Sequence, residues 1–245
     1  MLNVLFLAVF TLTAQQATII GKRIWENESK GRPEGLTCWN EGEDFASMGI
    51  NHCIWYPAGK KGVFEETFPA LIGYLQKQGV SVPGWIADHP PCPWNSRKEF
   101  LDEFASDKMT KLRKFLYRTA TLQVRFMAER LDRALPRMLE HTSEEKKAHV
   151  KRQFKRLQEF RKGPYILLDY YNFKGDGTSP TERYNDKGWG LLQVLEEMAG
   201  DTNFPDYEFV KAAQKILQQR VENAPPERNE QRWLQGWLNR LKTYG

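Results

Sequence analysis

Hydrophobic positions recur at helical spacing through most of the chain. Phe68, Leu71, Ile72 and Leu75 share one face of a helix expected over residues 65–78. Leu112, Leu116, Leu122 and Phe126 mark an apolar face within a long helical stretch from 96 to 161. Val150, Phe154 and Leu157 continue it at i, i+4, i+7. A first helix is expected over 16–29, stopped by Gly31, Pro33 and Gly35. Three more are expected near 188–200, 206–223 and 228–242, the last two separated by Pro225 and Pro226. Residues 36–56 break the pattern. They are rich in aromatic and small side chains, and Asn40, Glu41 and Gly42 offer a tight turn, so a small β-hairpin is expected there. Residues 165–173 are apolar on every side, and periodicity alone does not separate buried helix from strand. Residues 80–94, with four prolines, read as an ordered surface loop or a boundary, and residues 174–187 as a polar, Gly-rich loop. The fold expected is mainly α, with a small β-hairpin after the first helix.

Composition narrows the class. The chain has 245 residues, 40% of them hydrophobic, a net charge of +5 and a mean hydropathy of −0.64. A disordered or collagenous chain is excluded, and three Cys are too few for a disulfide scaffold. Cys38 and Cys53 flank the hairpin region and are candidates to approach each other. No Cys/His group has zinc-site spacing, so neither a metal nor a cofactor is expected. Residues 2–14 form the one long apolar run. It is too short to span a bilayer and reads as the core of a secretory signal peptide over residues 1–17. The expectation is a secreted or periplasmic protein, one domain over 18–245, with no transmembrane segment once the signal is removed.

The candidate chemistry sits in residues 25–56. Glu28 lies at the end of the first helix, and Glu41, Glu43 and Asp44 lie near the hairpin turn. Glycoside hydrolysis needs one protonated carboxyl for the leaving oxygen. It also needs a second group to activate water, act as nucleophile or stabilise the oxocarbenium-like transition state. A Glu among apolar neighbours such as Ile24 and Trp25 suits the acid role, and a carboxylate on a wet hairpin suits the second.

These residues resemble the lysozyme-like superfamily. Glu28-Ser29 followed by Gly31 is similar to the Glu-Ser motif of soluble lytic transglycosylases and goose-type lysozymes, whose Glu is the catalytic acid. Ser47-Met48-Gly49-Ile50-Asn51-His52 resembles the Thr-Ile-Gly-Ile-Gly-His stretch of phage-type lysozymes. By that match Ser47 takes the cleft-lining Thr position, and Glu41 aligns with the second carboxylate. Glu43 competes for that role, being in strand phase with Ser47 and nearer to it. Tyr171-Asn172 is similar to the Tyr-Asn motif of transglycosylases and implies substrate contacts. The resemblance implies cleavage of a β-1,4-linked amino-sugar polymer, with peptidoglycan as the polysaccharide partner.

Trp39, Trp55 and Tyr56 are candidates to stack on sugar rings, with core packing as the default for such aromatics. His52, between Ile50 and Ile54, reads first as a structural histidine and second as a substrate contact. Glu182 and Tyr184, on the polar loop, are further candidates for binding. Two other classes stay open. One is a non-enzymatic module that binds glycan or cell wall. The other is a basic helical nucleic-acid binder, since residues 108–162 hold 17 Lys/Arg against 6 Asp/Glu. Phe115, Phe126 and Phe154 fall at core spacing in that stretch, and no nucleic-acid motif is present, so nucleic acid is not the favoured partner.

Overall fold

The computed structural model describes residues 10–245, so most of the apolar run at residues 2–14 lies outside them. Among the described residues there are eleven α-helices and two small antiparallel sheets, a mainly α fold. No helix in this part is long and apolar enough to cross a membrane. The chain divides into two compact units, residues 11–127 and residues 128–245, the latter also taking in Phe10.

In the first unit, α1 (Ala14–Ser29) begins at a capping box. The Thr13 hydroxyl accepts from the Gln16 N–H, and the Gln16 side chain accepts from the Thr13 N–H. The region expected to carry a signal cleavage site is thus the cap and first turn of a helix. Cutting there would remove a cap worth about 1 kcal/mol. Three short strands follow, β1 (Thr37–Cys38), β2 (Ala46–Met48) and β3 (Cys53–Trp55), in one antiparallel sheet of order β1-β2-β3. The expected hairpin is therefore two hairpins in succession. The second turn arises because Gly49 takes φ 81° and His52 takes φ 50°. The unit continues through α2 (Phe68–Lys77), α3 (Gly84–Ala87), α4 (Arg97–Asp102), α5 (Asp107–Arg118) and the start of α6 (Ala120–Glu140).

Its core centres on Trp55, which is 1% exposed. Phe68, Trp85 and Trp94 surround it at ring distances of 4.6, 6.0 and 6.1 Å, and its indole N–H donates to the Pro90 carbonyl. The Pro-rich stretch is therefore part of the core wall, held by two tryptophans. Five of the eight Trp lie in this unit, so the aromatic surplus is largely packing.

The second unit holds the rest of α6, then α7 (Glu144–Glu159), α8 (Gly163–Lys174), a two-stranded hairpin of β4 (Arg183–Tyr184) and β5 (Lys187–Gly188), α9 (Leu191–Glu197), α10 (Pro205–Asn223) and α11 (Gln231–Leu241). The ambiguous apolar run is α8. Residues 165–171 are all buried, so the helix has no wet face and leaves no period in the sequence. The polar loop contains the β4–β5 hairpin, whose turn residues Asn185 and Asp186 both have positive φ. Phe115, Phe126 and Phe154 are buried, as their spacing implies, with most of the Lys and Arg of α5 and α7 facing outward.

One carboxylate organises the loop before α10. Glu208 accepts from the N–H of Gly200 at 2.6 Å and of Thr202 at 2.9 Å, and takes both terminal nitrogens of Arg156 at 3.0 and 2.8 Å. The Arg156 guanidinium, helped by Thr202 and Gly200, overcomes burial and holds the Glu208 carboxyl down to about 2. A depressed carboxylate stabilises the fold above its ordinary value of 4.5 and loses that contribution as pH falls towards 2. Glu208→Gln should therefore destabilise the protein by about 3 kcal/mol at pH 7, leaving Arg156 unpaired. Urea unfolding at stepped pH checks this. The wild type should lose stability below pH 4.5, and the variant should show a flatter curve.

Candidate active site at the end of the first helix

Glu28 stands in the last turn of α1. Lys30 stops the helix in the left-handed conformation, with its N–H bonded to the Glu26 carbonyl, and Gly31 bonds back to Trp25. The chain then folds tightly back. A Cβ on Gly35 would lie 2.1 Å from that of Ser29, so only glycine lets the 3₁₀ turn Pro33–Leu36 close against the helix end. That closure brings the Gly35 carbonyl beside Glu28 through their shared neighbour, His52.

His52 arrives by the β2–β3 turn. Gly49 N–H donates to the Leu36 carbonyl at 2.8 Å, and Ile50 N–H donates to Gln123 Oε1 at 2.9 Å. Gln123 is fully buried at the start of α6, and its amide nitrogen donates to Leu116 O at 2.7 Å and Thr119 Oγ1 at 3.0 Å. A Cβ on Gly49 would meet Gln123 Oε1 at 2.4 Å, so the turn has no room for any other residue.

The outcome is a three-residue cluster. His52 Nδ1 lies 3.6 Å from Glu28 Oε2, and Nε2 lies 3.1 Å from the Gly35 carbonyl. Cys38 Sγ lies 4.0 and 3.9 Å from the two ring nitrogens. Burial alone would push the imidazole down. Cys38, the Glu28 carboxylate and the Gly35 carbonyl outweigh it, and the ring is raised from 6.5 to about 9. Raised to about 9, His52 is held as an imidazolium at neutral pH, with the Gly35 carbonyl accepting at Nε2 and the Glu28 carboxylate 3.6 Å from Nδ1 as an ion pair. Cys38 Sγ is within sulfur hydrogen-bond reach of both ring nitrogens, so the thiol is a partner of the ring alongside Glu28 and the Gly35 carbonyl.

Register completes the picture. Cys38 opposes Ser47, and Ser47 opposes Ile54, so these three side chains share one sheet face. Thr37, Met48 and Cys53 share the other. Cys38 and Cys53 therefore point to opposite faces, and all three Cys are free thiols, which corrects the expected approach of the first two. Burial pushes the Cys92 thiol up to about 12, making it inert.

The remaining candidates fall into two groups. Ser47 is buried at 4% exposure in the central strand. Glu43 lies before β2, in the loop over residues 39–45, half-buried and held by the Asn40 amide at 3.1 Å. Glu41 is exposed at the tip, beside Gly42 with φ 80°. Trp39 is a core residue, not a sugar platform. It is 4% exposed, donates its indole N–H to the Glu43 carbonyl at 2.7 Å, and packs on Phe100. Trp55 and Tyr56 are buried likewise.

Tyr171, Asn172, Glu182 and Tyr184 belong to the second unit. Tyr171 is buried, and the Tyr184 hydroxyl donates to Glu230 at 2.8 Å. Glu230 also takes Arg220 through two bonds, while Arg240 takes Asp169 through two more. Between these pairs lies Lys174, 8% exposed, its ammonium over the rings of Trp237 at 3.7 Å and Phe173 at 4.0 Å. Burial, reinforced by Arg220, pushes Lys174 well below the usual lysine range. Burial also pushes Glu182 up, against the pull of Arg220. This packed ionic cluster explains why the loop is ordered.

The sequence did not foretell that Cys38 and Glu28 both meet the His52 ring. The signals were the glycines at 35 and 49, whose missing side chains allow the approach.

Gln123→Leu should leave the Ile50 N–H without its acceptor and cost about 1–3 kcal/mol. It should also shift the His52 ring resonances by loosening the turn, so thermal unfolding and NMR of the same variant check both effects. No protein-family model, curated protein or solved structure matches the chain.

Proposed function

We propose that the protein is an exported glycan-cleaving enzyme of lysozyme or lytic transglycosylase type, acting on peptidoglycan. The observation that carries this reading is the ion pair of Glu28 and His52 at the end of α1, with the Cys38 thiol beside the ring. A helix ending in a half-buried Glu, followed at once by a small antiparallel sheet, also agrees with the lysozyme-like resemblance.

The chemistry follows from the pair. As substrate displaces water, the His52 Nδ1 proton passes to the Glu28 carboxylate, and the imidazole becomes neutral. Glu28 then gives that proton to the glycosidic oxygen as the C1–O bond breaks. The sugar is left with oxocarbenium character, which the Glu43 carboxylate, steadied by Asn40, stabilises. Water adds to C1 in a lysozyme, and its proton restores the pair. In a transglycosylase the substrate's own hydroxyl adds instead, giving an anhydro-sugar. Export through residues 2–14 would bring the enzyme to this polymer.

Glu28→Gln should abolish release of sugar ends from purified peptidoglycan while circular dichroism shows an intact fold. Undiminished release by that variant overturns the assignment. Saturable wall binding with no release by the wild type would instead identify a glycan-binding module. The pair holds its proton until pH rises through about 9, so the pH–rate profile should fall in that range. His52→Gln should remove that limb near 9, because the ring that holds the proton has gone.

A further inference from the structure

An open cavity of about 470 Å³ lies in the first unit between residues 81–83 and the outer face of α5, with Phe115 among its lining residues. Lys111, Lys114 and Arg118 line it together with Tyr117. These positions repeat at intervals of three and four, so α5 turns one continuous basic edge to the cavity. Lys111 has Asp107 at 3.9 Å. Neither Lys114 nor Arg118 has an ion pair or hydrogen bond among the described residues, and both are exposed. Two cations without an ion pair among the described residues thus border a mainly apolar concave surface that Tyr117 also lines.

The cavity is tied to the Glu28 helix. Tyr117 is 57% exposed, and its ring meets that of Trp25 edge to face at 5.5 Å. Trp25 lies three residues before Glu28 on α1, on the same side of the helix. Its indole N–H is fixed by the Arg32 carbonyl at 3.2 Å, so the pair of rings is a positioned surface. The Tyr117–Trp25 contact thus joins the rim of the cavity to the helix that carries Glu28.

We infer that this cavity is an anion-recognising subsite, which selects a glycan carrying carboxylates over a neutral one. The inference rests on the glycan-cleaving reading and names its substrate class. Carboxylates on the lactyl groups and peptide stems of peptidoglycan meet Lys114 and Arg118, while the flanking sugar faces stack on Tyr117 and Trp25. A neutral chitin-type chain offers only the stacking contacts. Arg118 supplies a planar fork suited to a carboxylate, and Lys114 supplies a point charge beside it.

The test separates the subsite from catalysis by using Glu28→Gln protein for binding and wild-type protein for turnover. A soluble disaccharide-tetrapeptide from peptidoglycan and carboxyl-free chitotetraose are titrated by calorimetry. The carboxylated sugar should bind more tightly. Lys114→Ala with Arg118→Ala should weaken it about tenfold while leaving chitotetraose unchanged. Its affinity should also fall with added salt, as exposed charge contacts do. Equal affinity for the two sugars, or unchanged affinity in the double variant, overturns the subsite. Peptidoglycan turnover by the double variant should show a raised KM with kcat retained, whereas loss through unfolding would lower kcat and the melting temperature together. Selective binding without wild-type turnover would uphold the subsite and overturn the catalytic reading.

Discussion

The buried amide of Gln123 holds the β2–β3 turn in a shape that only a glycine at position 49 accommodates, and the candidate site depends on that contact. One side-chain oxygen caps the Ile50 N–H, while the amide nitrogen is spent on Leu116 and Thr119. With the turn fixed, His52 takes a left-handed backbone and its ring meets the end of α1. The close approach of Gly35 to Ser29 supplies the other wall. Glu28, Gly35, Cys38 and His52 come from four separate places in the chain. Two positions without side chains, and one fully buried amide, bring them together.

The electrostatic consequence is a carboxylate and an imidazolium 3.6 Å apart in a half-buried setting. A lone carboxyl in apolar surroundings would achieve the same end by resisting ionisation. In the proposed reaction the proton is held on a neighbouring ring instead, and the carboxylate would deliver it. Cys38, the Glu28 carboxylate and the Gly35 carbonyl together raise the ring to about 9, so the proton stays on His52 through neutral pH. Glu28 and His52 then act as a unit, so substitutions at either should perturb the same pH limb.

The amphipathic helices were legible because each buries one side. Phe68 to Leu75 and Val150 to Leu157 show this plainly. α8 was not, since residues 165–171 are buried all round and carry no period. The third strand was hidden by its length, three residues with only one hairpin turn of ordinary composition before it. Glu28 was visible through its local motif, and Ser47 and His52 through theirs. Their meeting was not, because it depends on a left-handed residue and on strand register rather than on composition. Trp39 follows the default for such aromatics, packing in the core with its indole N–H turned inward to the Glu43 carbonyl rather than outward to a sugar. The cysteine reading failed on register, since a one-residue offset sends Cys38 and Cys53 to opposite faces.

The most direct measurement is the titration of His52 by NMR on protein with labelled histidine rings. If the pair holds a proton, the His52 ring should stay an imidazolium through neutral pH and titrate at about 9. In Glu28→Gln protein the midpoint should fall, because a carboxylate that favours the charged ring has gone. A wild-type midpoint near 6.5, the ordinary histidine value, or one indifferent to Glu28, would contradict the account.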